Sequence, residues 1–110
     1  MNVLKIHDGC TEPVEIDNTL EALQAAVGGY IEVVTPRLCV ICNEDGKLIG
    51  LPVTAALVGD IGQLYDTLHG DLIVCRTTED GEFADILPDD YMAVGLYLRV
   101  VKREGVTRCQ

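Results

Sequence analysis

Apolar and polar residues alternate at the beginning of the chain, and this period of two predicts a first strand over Asn2–His7. A second short extended segment is expected over Pro13–Ile16, because proline disfavours helical backbone before it. Tyr30–Val34 is rich in β-branched residues and is typical of a strand. Leu38–Cys42 is apolar throughout, which predicts a central strand covered on both faces, and Leu72–Thr77 predicts another strand.

A helical period interrupts these strands after Asn18. The Asn18 side chain can cap a helix, and Glu21 stands three positions later, as a capping box requires. Gly28 and Gly29 are expected to end the helix. One apolar face recurs at helical spacing and consists of Leu20, Leu23 and Val27.

Glu-Asp-Gly occurs twice as a predicted turn. Glu44-Asp45-Gly46 follows the apolar strand, and we expect Gly46 to supply a positive φ before a return strand over Lys47–Leu51. Glu79-Asp80-Gly81 follows Leu72–Thr77, with a return through Phe83–Ile86. Both turns therefore predict hairpins.

The middle of the chain gives a weaker pattern. Thr54–Val58 is compatible with one helical turn, and Gly59–Gly62 is typical of a loop.

Pro88-Asp89-Asp90 is typical of a helix start, with proline first and acids in the first turn. The following run, Tyr91–Val101, is apolar almost all round, and a helix over this run ending near Lys102 and Arg103 is favoured. The alternative is a short helix that ends at Gly95, followed by a strand over Leu96–Val101.

These elements predict one α+β domain spanning residues 1–110: a mostly antiparallel sheet of about five or six strands with one or two helices packed on it. The aromatic residues are few, so the core should be aliphatic.

Charge is the strongest bias of the composition, with a net charge of −10. Residues 1–98 contain 4 Lys or Arg against 17 Asp or Glu, whereas residues 99–110 contain 4 against 1. Such an acidic body repels nucleic-acid phosphates, so direct nucleic-acid binding is not expected. The acidity either serves solubility alone or provides a surface that docks on a basic partner.

Five cysteines raise the question of metal or redox chemistry. Cys39 and Cys42 have the spacing of a metal knuckle, but residues three apart in a strand point to opposite faces. A second ligand pair is missing, apart from a loose His7-x-x-Cys10. We therefore expect free thiols, no metal and no cofactor.

Membrane and secretion signals are not expected from the sequence. No apolar run reaches the length of about 18–20 residues that spans a bilayer. The N-terminus lacks the basic and apolar regions of a signal peptide, so the prediction is a cytoplasmic protein with no membrane partner.

Several segments together resemble a family of small bacterial and phage proteins described only as a domain of unknown function. They are the helix Asn18–Val27, the segment Gly28–Glu32, the turn Asn43–Lys47 and the tripeptide Gly50–Pro52, with a looser similarity over His69–Val74. The resemblance implies an association with phage and mobile elements. It brings no catalytic residues.

An enzyme is not expected. The chain has no serine, and its histidines are His7, on a predicted strand, and His69, beside a glycine in a predicted loop. A pairing of His69 with Cys75 has no support from spacing. The adjacent carboxylates all lie at predicted turns or a helix start, where local structure explains them.

Binding is the remaining class of function. The first hypothesis is a non-enzymatic protein-interaction module that docks on a basic host protein and inhibits it. The alternative is a binder of small ligands, such as a nucleotide-sequestering homo-oligomer assembled through the apolar C-terminal run. The residues predicted to form an acidic contact surface are Glu44, Asp45, Asp60, Glu79 and Asp80.

Overall fold

The computed structural model describes residues 1–34 and 38–101, and these contain nine strands and two helices. The strands are β1 Asn2–His7, β2 Cys10–Glu15, β3 Ile31–Val34, β4 Cys39–Asn43, β5 Val53–Val58, β6 Leu64–His69, β7 Leu72–Thr77, β8 Phe83–Ala84 and β9 Leu98–Val100. The helices are α1 Leu20–Val27 and α2 Asp90–Tyr97.

The strands form two antiparallel sheets, whereas the sequence predicted one. The larger sheet has the order β2-β1-β7-β4-β3, with β8 paired to the end of β7. The smaller sheet has the order β6-β5-β9. The prediction of a mostly antiparallel α+β fold is confirmed in this broad form.

The larger sheet lies between two layers and is covered on both faces. On one face it packs against α1, through a cluster of Val3, Leu23, Val27, Cys39, Ile41, Ile73 and Cys75. On the other face it packs against the smaller sheet and α2, through a cluster that includes Leu4, Ile6, Val40, Cys42, Leu72, Val74, Leu57, Leu68 and Val94. Every residue of β4 is buried, as the apolar run Leu38–Cys42 predicts, and the polar Asn43 is buried as well.

The N-cap residue of helix α1 is Thr19, one position after the predicted cap, Asn18. Thr19 is extended, with φ −131°, and its Oγ1 accepts a hydrogen bond of 3.1 Å from the Ala22 amide. Asn18 instead donates from its side chain to the Phe83 carbonyl at 2.9 Å. Gly28 ends the helix in the left-handed region, with φ 78°, as predicted.

The apolar C-terminal run changes from helix to strand. The favoured helix over Tyr91–Val101 is wrong: α2 ends at Tyr97, two residues beyond Gly95, and β9 follows. β9 is extended because it pairs with β5, where Leu98 lies opposite Leu57. The predicted helix end at Lys102 and Arg103 lies outside the described residues.

Two further local predictions are wrong. Thr54–Val58 forms most of β5 instead of a helical turn, because β6 and β9 supply backbone partners on both its edges. Lys47–Leu51 does not return as a strand, since the backbone forms consecutive turns from Glu44 to Gly50.

The cysteines fall into distinct environments. Cys39, Cys42 and Cys75 are free thiols, but Cys10 is disulfide-bonded, which departs from the expectation of free thiols. Cys39 and Cys42 belong to clusters on opposite faces of the larger sheet, as their spacing predicts. In the part of the chain that the structure describes, no group of three or more His, Cys, Asp or Glu could hold a metal ion.

Neither helix in the described residues has the length and apolar character that crossing a membrane would require.

Candidate functional site

A groove opens between the end of α1, the residues before β3 and the turn after β4, and we call it the Tyr30 groove. Its cavity has a volume of about 370 Å³. Helix, strand and turn all contribute to its lining, which consists of Gln24, Gly28, Gly29, Tyr30, Asn43, Asp45 and Ile49. Segments that are distant in sequence therefore form one surface.

Asn43 fixes the floor of the groove. It is 7% exposed, and its Nδ2 donates to the carbonyl of Val27 at 3.2 Å, at the last residue of α1. Its Oδ1 accepts from the Asp45 amide at 2.8 Å. A Cβ atom at Gly29 would lie 2.8 Å from Asn43 Nδ2, so only glycine leaves space for this arrangement. Asn43 thus joins the helix end to the turn.

Backbone hydrogen bonds hold the turn after β4 in a form that leaves two of its aliphatic side chains exposed. The Ile49 amide donates to the Asp45 carbonyl at 3.0 Å, and the Leu51 amide donates to the Gly46 carbonyl at 2.9 Å. Gly46 does not have the predicted positive φ. Glycine is needed there for a different reason: a Cβ atom would lie 3.1 Å from the His69 carbonyl oxygen.

Three large apolar side chains around the groove are mostly exposed to solvent and are not part of the core. Tyr30 is 70% exposed, Ile49 is 61% exposed, and the neighbouring Leu48 is 87% exposed. Exposed apolar side chains that adjoin one another are typical of interaction surfaces. The sequence interpretation misses all three, because it places each of them in a predicted strand, Tyr30–Val34 or Lys47–Leu51.

The electrostatics of the groove are negative. Glu44 and Asp45 are exposed, and neither forms an ion pair with another described residue. The C-terminal end of α1 has no basic residue in its last turn, so its partial negative charge is not offset within the helix. The groove can accept hydrogen bonds and can place a cation beside an aromatic ring.

The five predicted contact residues do not meet at one place. Each is exposed. Because β4 and β7 are antiparallel, Glu44 and Asp45 lie at one end of the larger sheet, and Glu79 and Asp80 lie at the other. Asp60 follows β5 and accepts a hydrogen bond of 2.9 Å from the Tyr97 hydroxyl. The structure therefore separates the predicted surface, and only Asp45 lines the groove.

Polar side chains on the other side of the same turn form a smaller pocket of about 130 Å³. His69 Nδ1 donates to the Leu51 carbonyl at 2.8 Å, and His69 Nε2 lies 2.9 Å from Thr67 Oγ1. Lys47 donates to Asp66, and this hydrogen bond lowers the pKa of the Asp66 carboxyl. Both ring nitrogens of His69 thus have structural partners.

The thiol that borders this pocket is not activated. Burial, followed by the charges of Glu32 and Asp66, raises the pKa of Cys42 to about 11. Cys75 lies on the opposite face of the larger sheet, in the cluster under α1, so the structure does not pair it with His69. No thiolate–imidazole arrangement forms among these residues.

Comparison with known proteins shows that a family model covers most of the chain. That model, "Domain of unknown function (DUF3846)", matches residues 1–102 of the 110-residue chain. No curated protein and no solved structure matches the chain. The match confirms the resemblance to a small family described only as a domain of unknown function. The chain therefore belongs to the DUF3846 family of domains of unknown function.

Proposed function

We propose that this protein is a non-enzymatic protein-interaction module of a phage or another mobile element, and that its Tyr30 groove binds a basic segment of a host protein. The main supporting observation is the combination of an exposed aromatic ring with two exposed aliphatic side chains beside carboxylates that have no described cationic partner. Tyr30, Leu48 and Ile49 supply the apolar part. Asp45 supplies charge within the groove, and Glu44 adds charge beside it, where the same turn borders the smaller pocket.

A lysine or arginine side chain suits this combination. Its cationic head can lie over the ring of Tyr30, an arrangement worth about 0.5–2 kcal/mol according to how far it is desolvated. The aliphatic stem can pack on Leu48 and Ile49, while the Asp45 carboxylate accepts hydrogen bonds from the head. The net charge of −10 would attract such a partner over a distance.

Inhibition of the host protein is the expected consequence. Basic grooves of nucleic-acid-binding proteins present the lysine and arginine side chains that this surface fits. A module that occupies them would compete with the nucleic acid. The nucleotide-sequestering alternative receives less support, because an anionic ligand in the Tyr30 groove would face Asp45 and the negative end of α1.

Association between copies of the chain is a separate prediction. The C-terminal run is divided between α2 and β9, and β9 is paired with β5. Met92 and Leu96 of α2 are exposed and would form the contact between copies.

The test compares capture of host proteins by the wild type and by variants. Immobilised wild-type protein, Tyr30→Ala and Asp45→Asn are each incubated with host lysate at low salt, and captured proteins are quantified by mass spectrometry. Tyr65→Ala and Asp80→Asn are matched controls, because Tyr65 is also exposed and Asp80 is an acid in the other Glu-Asp-Gly turn. We expect a basic protein that both groove variants lose and both controls retain.

Affinity measurements with the purified partner then quantify the site. Tyr30→Ala should weaken binding by about 2 kcal/mol, roughly 30-fold, as for an aromatic residue at the centre of an interface. Asp45→Asn should reduce the dependence of the association rate on salt. A partner that binds equally well to wild type and Tyr30→Ala, or an affinity independent of salt, would refute the proposal.

A further inference from the structure

Two cysteines face each other across neighbouring strands of the larger sheet. Cys39 of β4 is directly opposite Cys75 of β7 in the antiparallel register, and their Sγ atoms are 3.6 Å apart. Residues opposite each other in such a pair have Cα atoms about 4.5–5.5 Å apart. Disulfides span Cα distances of about 4.4–6.8 Å. The backbone therefore already has the spacing that a disulfide needs.

The two thiols are chemically unequal. The Cys75 thiol donates a hydrogen bond to Cys39 Sγ. This hydrogen bond favours a thiolate on Cys39 and lowers the pKa of Cys39, whereas it raises the pKa of Cys75. A stabilised thiolate beside a thiol is the arrangement that dithiol oxidation requires. Cys42 points to the other face of β4 and belongs to the other cluster.

We propose that Cys39 and Cys75 are an oxidation site, at which a hydroperoxide converts the two thiols into a disulfide between β4 and β7. The Cys39 thiolate attacks one peroxide oxygen and the O–O bond breaks. With hydrogen peroxide, the leaving hydroxide takes up the proton that Cys39 released when it ionised and departs as water. Cys39 is then a sulfenic acid.

The second step joins the strands. Cys75 Sγ attacks the Cys39 sulfur, the S–S bond forms, and the S–O bond breaks. The hydroxyl leaves with the Cys75 proton as a second water molecule. The two thiols together lose two electrons, and the peroxide gains them. Cys39 is 8% exposed and Cys75 is 3% exposed, so the oxidant reaches them when the strands open locally, and the reaction is slower than at an exposed thiol.

Peptide mapping of the oxidised full chain tests this proposal, which is independent of the proposed function. The protein is treated with hydrogen peroxide, its remaining thiols are alkylated in denaturant, and it is digested with trypsin without reduction. Cleavage after Arg37, Lys47 and Arg76 gives the peptides 38–47 and 48–76. We expect these two peptides to be joined by a disulfide, with the loss of two hydrogen atoms.

Matched variants identify the sulfur atoms, because peptide 38–47 contains both Cys39 and Cys42. Cys42→Ser should retain the cross-link, and Cys39→Ser should lose it. In Cys75→Ser, Cys39 should accumulate as a sulfenic acid that dimedone traps. The proposal is overturned if wild-type protein gives no cross-linked peptide pair, or if the cross-link persists in Cys39→Ser and disappears in Cys42→Ser. Mapping of the wild type shows whether peptides 38–47 and 48–76 become cross-linked, without any substitution.

Discussion

The two Glu-Asp-Gly turns have the same three residues and different structures. After β7, Glu79-Asp80-Gly81 closes a tight hairpin: the Thr78 amide donates to the Glu82 carbonyl at 2.8 Å, and Gly81 has φ 84°. After β4, Glu44-Asp45-Gly46 begins a series of turns that continues to Gly50, and Gly46 is buried. The Glu44-Asp45-Gly46 turn, the first along the chain, borders the Tyr30 groove, whereas the Glu79-Asp80-Gly81 turn, the second, is exposed throughout.

The difference follows from where each chain segment must go. β7 and β8 are neighbours in one sheet, so a two-strand hairpin connects them. β4 belongs to the larger sheet and β5 to the smaller one, so the connecting segment must leave the plane of the first sheet. Turn residues therefore predict that the chain changes direction, whereas the position of the next strand determines the length and conformation of the connection. The connection between the sheets also contributes Asp45 and Ile49 to the lining of the Tyr30 groove.

The largest expected contrast concerns the residues that hold the two turns. Asn43→Ala should destabilise the protein by about 2–3 kcal/mol, because the Val27 carbonyl and the Asp45 amide lose a buried partner. Thr78 supports the second turn by accepting from the Glu82 amide at 3.2 Å at an exposed position. Thr78→Ala should cost about 0.5 kcal/mol. Urea unfolding followed by circular dichroism gives both values.

Asn43→Asp separates the two hydrogen bonds of Asn43. It keeps an acceptor for the Asp45 amide but places a buried carboxylate against the Val27 carbonyl oxygen, so at neutral pH it should destabilise the protein at least as much as Asn43→Ala. Equal costs for Asn43→Ala and Thr78→Ala would mean that the two turns are supported alike.

The two glycines should respond in opposite ways to asparagine. A side chain at Gly46 meets the His69 carbonyl oxygen and Cβ atom, at 3.1 and 3.3 Å from the new Cβ. Gly46→Ala should therefore cost about 1–3 kcal/mol, and the larger Gly46→Asn should cost more. At Gly81 a Cβ atom meets open space and only the left-handed backbone is unfavourable. Gly81→Ala should cost about 1 kcal/mol, and Gly81→Asn less, because asparagine tolerates this region.

Thermal or urea unfolding of the four glycine variants provides the measurement. The reversed order of alanine and asparagine at the two positions is the decisive result. If asparagine were better tolerated than alanine at Gly46, backbone conformation and not crowding would explain that glycine, as the sequence interpretation assumed.

Strands with a clear local pattern could be predicted from the sequence. β1, β3, β4 and β7 follow alternating or uniformly apolar segments, and the structure has them at nearly the predicted positions. β5 could not be recognised, because Ala55, Ala56 and Leu57 favour a helix locally and become extended only between β6 and β9. Long-range pairing likewise makes Leu98 the first residue of a strand.

The candidate site was predictable only in its parts. The Glu44-Asp45 pair could be placed in a turn, since such residues favour turns. Its proximity to Tyr30 depends on the pairing of β3 with β4, which continues as a hydrogen bond of 2.8 Å from the Glu44 amide to the Tyr30 carbonyl. The separation of Glu79 and Asp80 from this pair depends on the pairing of β4 with β7. Sequence patterns do not contain either fact.

The ion pairs beside the two turns should give the smallest effect. For these pairs we expect the second turn, and not the first, to have the stronger support. Lys47 lowers the pKa of Asp66 near the first turn, and Arg76 lowers the pKa of Asp90 near the second. Asp66 accepts from Lys47 and from the Thr67 amide, and its side chain is 41% exposed. Asp90 accepts from Arg76 at 2.9 and 3.2 Å and from the Leu87 amide at 2.7 Å, and its side chain is 20% exposed.

A carboxyl whose pKa is lower in the folded protein stabilises the fold above its ordinary pKa, about 3.9, and loses this contribution as the pH falls through the folded value. Asp66→Asn should therefore cost about 0.5 kcal/mol or less at neutral pH, as for an exposed pair. Asp90→Asn should cost more, since it loses more hydrogen bonds. Urea midpoints at about pH 7 and about pH 2 should differ from the wild type only at the higher pH. A larger loss of stability for Asp66→Asn than for Asp90→Asn would mean that the first turn has the stronger electrostatic support. Every stabilising contact compared here would then be stronger at the first turn than at the second.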